Sequence, residues 1–369
     1  MTPTVYQPLH PSIRDKLDPE YVAFHDAVLQ FCPRSETLPF DPIASRAAKS
    51  PMAHGGQQIV AVGRTEDRVI HGQGLPASDQ ITVRIFTPEG EAPASGWPCL
   101  VWFHGGGWVM GGLGSENGFL THICRYLRCV VVTVNYRHAP EHMYPAAADD
   151  SFLGYQWVVA PEQVAALQLD TSKIALGGLS AGGGLAAIVG MKIASFDPAA
   201  KTLPRPVFQM LICPVIDCSV TVDTDPAKRA GWQASQHSPW LTPTRMQWYR
   251  DQYFGADSAA AARFTTSWTA SPCYAPADLL AASPPTFLAI AGCDLLAPEA
   301  TAYGAQLSAA GVSVDMQTYP GGTHSILILA GSIHKLGKKL VHDACTALAL
   351  ALGTAYDPST SPVLSQETE

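Results

Sequence analysis

Four stretches of this chain, residues 99–103, 129–134, 208–213 and 286–291, are apolar almost from end to end. Short runs of that kind, rich in β-branched and aromatic side chains, read as strands buried on both faces, the pattern of a mainly parallel sheet. Residues 57–70 and 81–87 instead alternate polar with β-branched residues, which predicts antiparallel strands. A brief strand at 174–176 and a last one at 313–319 complete the set. Helical spacing governs 148–159 and the Leu, Ala, Ile and Met run after Ser180. Strands separated by helices predict an α/β architecture.

Two regions stand outside that alternation. Residues 1–55 read as short helices broken by prolines, the best of them at 19–31 behind an acidic start. Residues 219–270 form an insertion between two core strands and carry Trp232, Trp240, Trp248, Tyr249, Tyr253, Phe254 and Trp268. Thr242 is the predicted cap of a helix there. An insertion this long predicts a helical cap, the alternative being a helical layer that merely packs on the sheet. The expected organisation is a catalytic domain of 56–218 and 271–356, with 1–55 and 219–270 as the cap. A disordered tail is expected at 357–369, where Ser, Thr, Pro and Glu dominate.

The chemistry concentrates in three places. The strand at 174–176 runs into Gly178-Leu179-Ser180-Ala181-Gly182, a Gly-x-Ser-x-Gly turn ahead of a helix. Glycines two residues either side keep room for a serine on a strained strand-to-helix turn. A dinucleotide-phosphate loop is the competing explanation, but it needs an acid ending the next strand, and Asp197 lies in a turn-like Phe-Asp-Pro. His104-Gly105-Gly106-Gly107-Trp108 follows a buried strand, where bare backbone amides can approach a substrate oxygen. Gly105, Gly106 and Ala181 are the expected oxyanion donors. A serine hydroxyl also needs a histidine base oriented by an acid. Asp294 and His324 each stand just past a predicted strand, in the chain order Ser, acid, His. His104, His138, His142, His237 and His334 compete with His324, and Asp217 and Glu299 with Asp294. His138 and His142 flank Pro140, so no metal site is expected.

Taken together these segments resemble the hormone-sensitive-lipase-like family of α/β-hydrolases, microbial serine carboxylesterases with a helical cap. The resemblance runs over roughly residues 80–350. It includes His104-Gly-Gly-Gly-Trp, Asn135-Tyr-Arg-His-Ala-Pro-Glu-His-Met-Tyr-Pro-Ala, Ser180-Ala-Gly-Gly, Cys213-Pro-Val-Ile-Asp217, Ser271-Pro272, Ser283-Pro-Pro-Thr, Asp294-Leu-Leu-Ala-Pro-Glu299 and His324. It implies an α/β-hydrolase fold, a mostly parallel sheet flanked by helices, with the N-terminal helices and the insertion capping the acyl pocket. The implied activity is hydrolysis of a small-molecule carboxylic ester through an acyl-enzyme on Ser180, without a cofactor. Non-hydrolytic uses of the scaffold (lyase or dehydratase, acyltransferase, ligand receptor) are the alternative. Three positions depart from the family pattern: Leu179 replaces the usual acid, Gly184 the usual Asn, and Ser325-Ile326 the usual Gly-Phe. Those departures and the aromatic cap suggest an apolar, bulky, secondary-metabolite-like substrate, with Trp108, Met110, Trp232 and Trp240 as pocket residues.

Composition narrows the setting. Net charge is −8, from 23 basic and 31 acidic residues, so nothing electrostatic recommends nucleic acid or an anionic membrane as a partner. Nine scattered cysteines without a Cys-x-x-Cys suggest free thiols in a reducing compartment. The first residues lack a basic start and an apolar core, and no apolar run reaches spanning length. A cytoplasmic enzyme, allowing a homodimer, is the expectation.

Overall fold

In the computed structural model, the described residues are 3–48, 50–52, 56–70, 80–196, 203–222, 224, 230–331 and 335–360. Eight strands form one sheet: β1 (Arg64–Ile70), β2 (Ile81–Thr87), β3 (Trp97–Phe103), β4 (Val130–Asn135), β5 (Leu169–Leu179), β6 (Phe208–Ile212), β7 (Thr286–Ala291) and β8 (Val314–Tyr319), in the order β1-β2-β4-β3-β5-β6-β7-β8. The β1–β2 and β2–β4 pairs are antiparallel and every other pair is parallel. The alternating stretches thus became the antiparallel edge, as their pattern required. Of the alternating residues 57–70 only 64–70 pair; 57–63 lie against α4, where the Val60 N–H donates to Thr121 Oγ1 at 3.2 Å.

The helices are α1 (Pro11–Arg14), α2 (Pro19–Ala27), α3 (Pro42–Ala47), α4 (Asn117–Leu127), α5 (Ala146–Val158), α6 (Pro161–Leu167), α7 (Ala181–Phe196), α8 (Ala230–Ala234), α9 (Pro243–Phe254), α10 (Ser258–Thr265), α11 (Ala277–Ala281), α12 (Ala297–Ala309) and α13 (Lys335–Leu352). Alternate residues of β3 serve different layers. Cys99, Val101 and Phe103 pack with residues of α5, α7 and α12, whereas Leu100 and Trp102 pack with α4 and α13. All seven β3 residues are buried, which is why that run has no polar face.

The N-terminal helices build a small core of their own, Ile13, Leu17, Tyr21, Phe24 and Leu29 against Leu329. They also grip the inserted helices. Arg245 of α9 pairs with Glu36 at 2.7 Å, both side chains almost fully buried, and Phe40 meets Trp248 edge to face. Thr242 caps α9 by accepting the Arg245 N–H at 3.2 Å. Met246, Tyr253 and Phe254 of α9 merge with the core on one side of the sheet. Six of the nine cysteines are buried, and none is in a disulfide. No helix among the described residues is long and apolar enough to cross a membrane. Residues 361–369 of the expected tail, together with Asp197 and His334, lie outside the described residues.

Candidate active site

Every candidate group sits just past the C-terminal end of a parallel strand, where such sheets build sites. Ser180 follows β5 with φ +58°, a left-handed conformation rare for a residue with a side chain. Its backbone is held from both directions. The Ser180 N–H donates to Ile212 O at 2.9 Å, and its carbonyl accepts from Val215 at 3.0 Å and Gly184 at 3.1 Å. The turn is feasible only because its flanks lack side chains. A Cβ on Gly178 would lie 2.1 Å from the Gly182 carbonyl oxygen, and one on Gly182 would lie 2.0 Å from that of Phe103. Gly184 obeys the same constraint, since a Cβ there would stand 2.4 Å from the Val215 carbonyl oxygen. Glycine in place of the family's Asn therefore fits this loop.

The structure brings Ser180, Asp294 and His324 together. His324 Nε2 lies 2.9 Å from Ser180 Oγ, and His324 Nδ1 lies 2.7 Å from Asp294 Oδ2. An ionised carboxylate only accepts, so Nδ1 carries the proton and Nε2 is left to accept from the serine hydroxyl. Asp294 is 1% exposed, and its other oxygen accepts the Leu296 N–H at 3.2 Å. Bonds from Cys293 to Gly322 O (2.8 Å) and from Gly292 to Tyr319 O (2.9 Å) lace the acid and histidine loops together. The N-terminal segment braces them, with Asp18 N–H donating to Gly321 O at 3.1 Å.

The oxyanion loop corrects one expectation. The Gly105 N–H points away from the site and donates to Glu116 Oε1 at 3.2 Å, so it is not free for a substrate. No hydrogen bond among the described residues uses the N–H of Gly106, Gly107 or Ala181. Gly106 and Gly107 adopt φ +118° and +61°, and a Cβ on Gly107 would strike the Tyr249 ring of α9 at 2.4 Å. An aromatic ring of the insertion thus rests directly on this loop.

The rival residues have other occupations. His104 is wholly buried, its Nδ1 2.7 Å from Gly105 O and its ring stacked on Tyr136, and burial pushes its imidazole down to about 4. His138 stacks beside it and is driven down to about 2, again by burial. His237 stacks on His10. Asp217 accepts from the backbone and side chain of Ser219. Glu299 accepts the N–H groups of Ile216 (2.8 Å) and Asp217 (3.2 Å), and burial raises it to about 7. Among the described residues no group of three His, Cys, Asp or Glu side chains could hold a metal ion.

Of the expected pocket residues, Trp108 is 3% exposed and its indole stacks on Tyr253 of α9 at 4.4 Å. Trp240 carries the Arg245 guanidinium 4.7 Å above its ring and packs toward the N-terminal core. Met110 is half-buried beside Gly106. Trp232 lines a cavity of about 200 Å³ with Asp217, Val220, Leu295 and Glu299, a cavity whose lining includes neither Ser180 nor His324. Sequence reasoning missed Glu116 and Arg250, whose guanidinium donates to Asp217 O at 2.6 Å over the Trp232 ring. It named Tyr249 only as one of the aromatics of the insertion.

A family model described as the alpha/beta hydrolase fold matches residues 100–328, more than half of the chain. The chain belongs to the α/β-hydrolase fold family. A carboxylesterase family model matches residues 46–141 of this hydrolase. An AB hydrolase superfamily protein of Schizosaccharomyces pombe is 37% identical to it, over 93% of this chain and 96% of that protein. Carboxylesterase NlhH of Mycobacterium tuberculosis is 32% identical, over 72% and 76% respectively. Among solved structures, a thermostable esterase from Pseudomonas putida superposes with a TM-score of 0.76 at 27% identity, over 91% and 98%. The hydrolase stands with the carboxylic ester hydrolases of its family.

Proposed function

We propose that this hydrolase cleaves carboxylic esters through an acyl-enzyme on Ser180. Ser180 Oγ attacks the acyl carbon while His324 Nε2 takes its proton and then passes it to the departing alcohol. Asp294 holds the imidazole in the required tautomer and stabilises the imidazolium. Gly106, Gly107 and Ala181 supply N–H groups to the oxyanion, with Gly107 replacing Gly105 in that role. A water then repeats the sequence to release the acid. The observation that carries this reading is the unbroken relay of 2.9 and 2.7 Å from Ser180 through His324 to Asp294.

The N-terminal helices and α8–α10 are proposed as the cap. Tyr249 of α9, whose ring rests on the glycine loop, favours apolar groups on the substrate, and the bulky, secondary-metabolite-like reading rests on it. Nine cysteines without a disulfide fit a reducing compartment. The test is a fluorophosphonate probe followed by peptide mapping. Labelling should fall on Ser180 and vanish in His324→Ala. Labelling elsewhere, or labelling that ignores His324, refutes the mechanism. A p-nitrophenyl ester series then sizes the pocket, and fastest turnover of acetate would refute the bulky-substrate reading.

A further inference from the structure

The carboxylate of Glu116 is an unusual neighbour for an anion-binding loop. It lies at the start of α4, is 8% exposed, and accepts the Gly105 N–H and the Trp102 Nε1–H, each at 3.2 Å. Leu179, standing where the family usually has an acid, offers this loop only an apolar side chain, its Cγ 3.3 Å from where a Gly105 Cβ would be. Gly105 directly precedes the two glycines whose N–H groups are unclaimed. Whatever fixes the Gly105 peptide therefore sets the direction of the next two.

We propose that Glu116 is a positioning residue of the esterase reaction, holding Gly105 so that the Gly106 and Gly107 N–H groups converge on the developing oxyanion. The proposal rests on the acyl-enzyme reading given above. Two acceptor oxygens are what the arrangement uses, one for a backbone donor and one for an indole donor. Protonation removes the charge that both donors meet and weakens one of the two acceptors, which loosens the arrangement. Burial without a cationic partner raises Glu116 to about 7, so that loss begins near neutrality. The titratable groups near it are Tyr136, held protonated by burial, and His104, held neutral. Arg84 of β2 is engaged with Asp67 and with the Leu113 carbonyl, and no ion pair reaches Glu116 among the described residues.

The test compares wild type with Glu116→Gln, which mimics the protonated acid, on p-nitrophenyl butyrate. At pH 8 the variant should lose about 10- to 100-fold in kcat with KM nearly unchanged, because a misaimed donor costs transition-state and not ground-state binding. At pH 5.5 the gap should shrink to about threefold or less, since wild type is then protonated at the same position. A gap equal at both pH values, or one carried by KM, overturns the proposal. Should Glu116→Gln not fold, Trp102→Phe serves instead. It removes one donor from the carboxylate, so the acid limb of kcat/KM should move to higher pH, and an unmoved limb overturns the proposal. Ser180→Ala separates the two readings. If wild type hydrolyses the ester and Ser180→Ala does not, the mechanism stands whatever Glu116 does.

Discussion

The Arg245–Glu36 pair is the most exacting point on which to test how this molecule closes over its site. Arg245 donates to Glu36 Oε2 at 2.7 Å, to the Trp240 carbonyl at 2.7 Å and to Gln7 Oε1 at 3.3 Å, with its guanidinium over the Trp240 ring. The two charged side chains are 3% and 2% exposed, so water can replace neither partner. Replacing Arg245 by Met leaves the Glu36 carboxylate buried and unpaired, a loss of about 3–5 kcal/mol in pairs of this kind. An exposed pair would cost under about 1 kcal/mol. The sheet does not depend on this contact, so the loss should appear as local opening of residues 3–48 and of α9. Hydrogen exchange by mass spectrometry reads that directly, with β3 to β7 keeping their protection. On an ester substrate KM should rise more than kcat falls, because the triad is untouched. The double variant Glu36→Gln/Arg245→Met removes both charges and should recover at least about half of the loss. If the double variant costs the sum of the two singles, or if Arg245→Met costs under about 1 kcal/mol, the reasoning from burial is wrong.

Three further outcomes can be checked. Asp294→Asn keeps the shape but favours the wrong imidazole tautomer, and kcat on p-nitrophenyl esters should fall by about 10⁴-fold with the fold intact by circular dichroism. Gly182→Ala drives a Cβ into the Phe103 carbonyl at 2.0 Å and should cost more than about 3 kcal/mol, while Gly114→Ala, with nothing within 4 Å, serves as the near-neutral control in urea titrations. His104 is lowered to about 4, so between pH 4 and 6.5 the folded chain binds fewer protons than the unfolded one. Stability therefore falls as pH drops through that window, by up to about 1.4 kcal/mol per pH unit for this one group, and His104→Gln should flatten the slope seen by denaturation at pH 6.5 and 5.

Much of the molecule was legible from residue order because its signals are local. Buried parallel strands cannot present a wet face, so β3, β4, β6 and β7 announced themselves as unbroken apolar runs. The elbow needs glycine at 178 and 182 for steric reasons acting within a few residues, and Thr242 caps α9 across a single turn. Even Asp294 and His324, far from Ser180 in the chain, could be named, because each stands past a strand end and their order is one the fold family uses. What the sequence did not show has a different cause. The partners of the Gly105 N–H and of the Trp108 indole face were not legible, because each is set by the tertiary structure: Glu116 in one case, Tyr253 in the other.

The linear chain by itself determined which segments must be strands, which turn could hold a reactive serine, and which residue types could serve it, since propensity, burial pattern and close backbone approach act over short spans. Tertiary structure alone decided which N–H groups of the glycine loop are engaged, which aromatics stack on one another, and that Arg245 and Glu36 lock two distant segments together. Hydrogen bonds and buried charges are settled by whatever side chain arrives from elsewhere, and the periodicity of a segment carries no record of its partner.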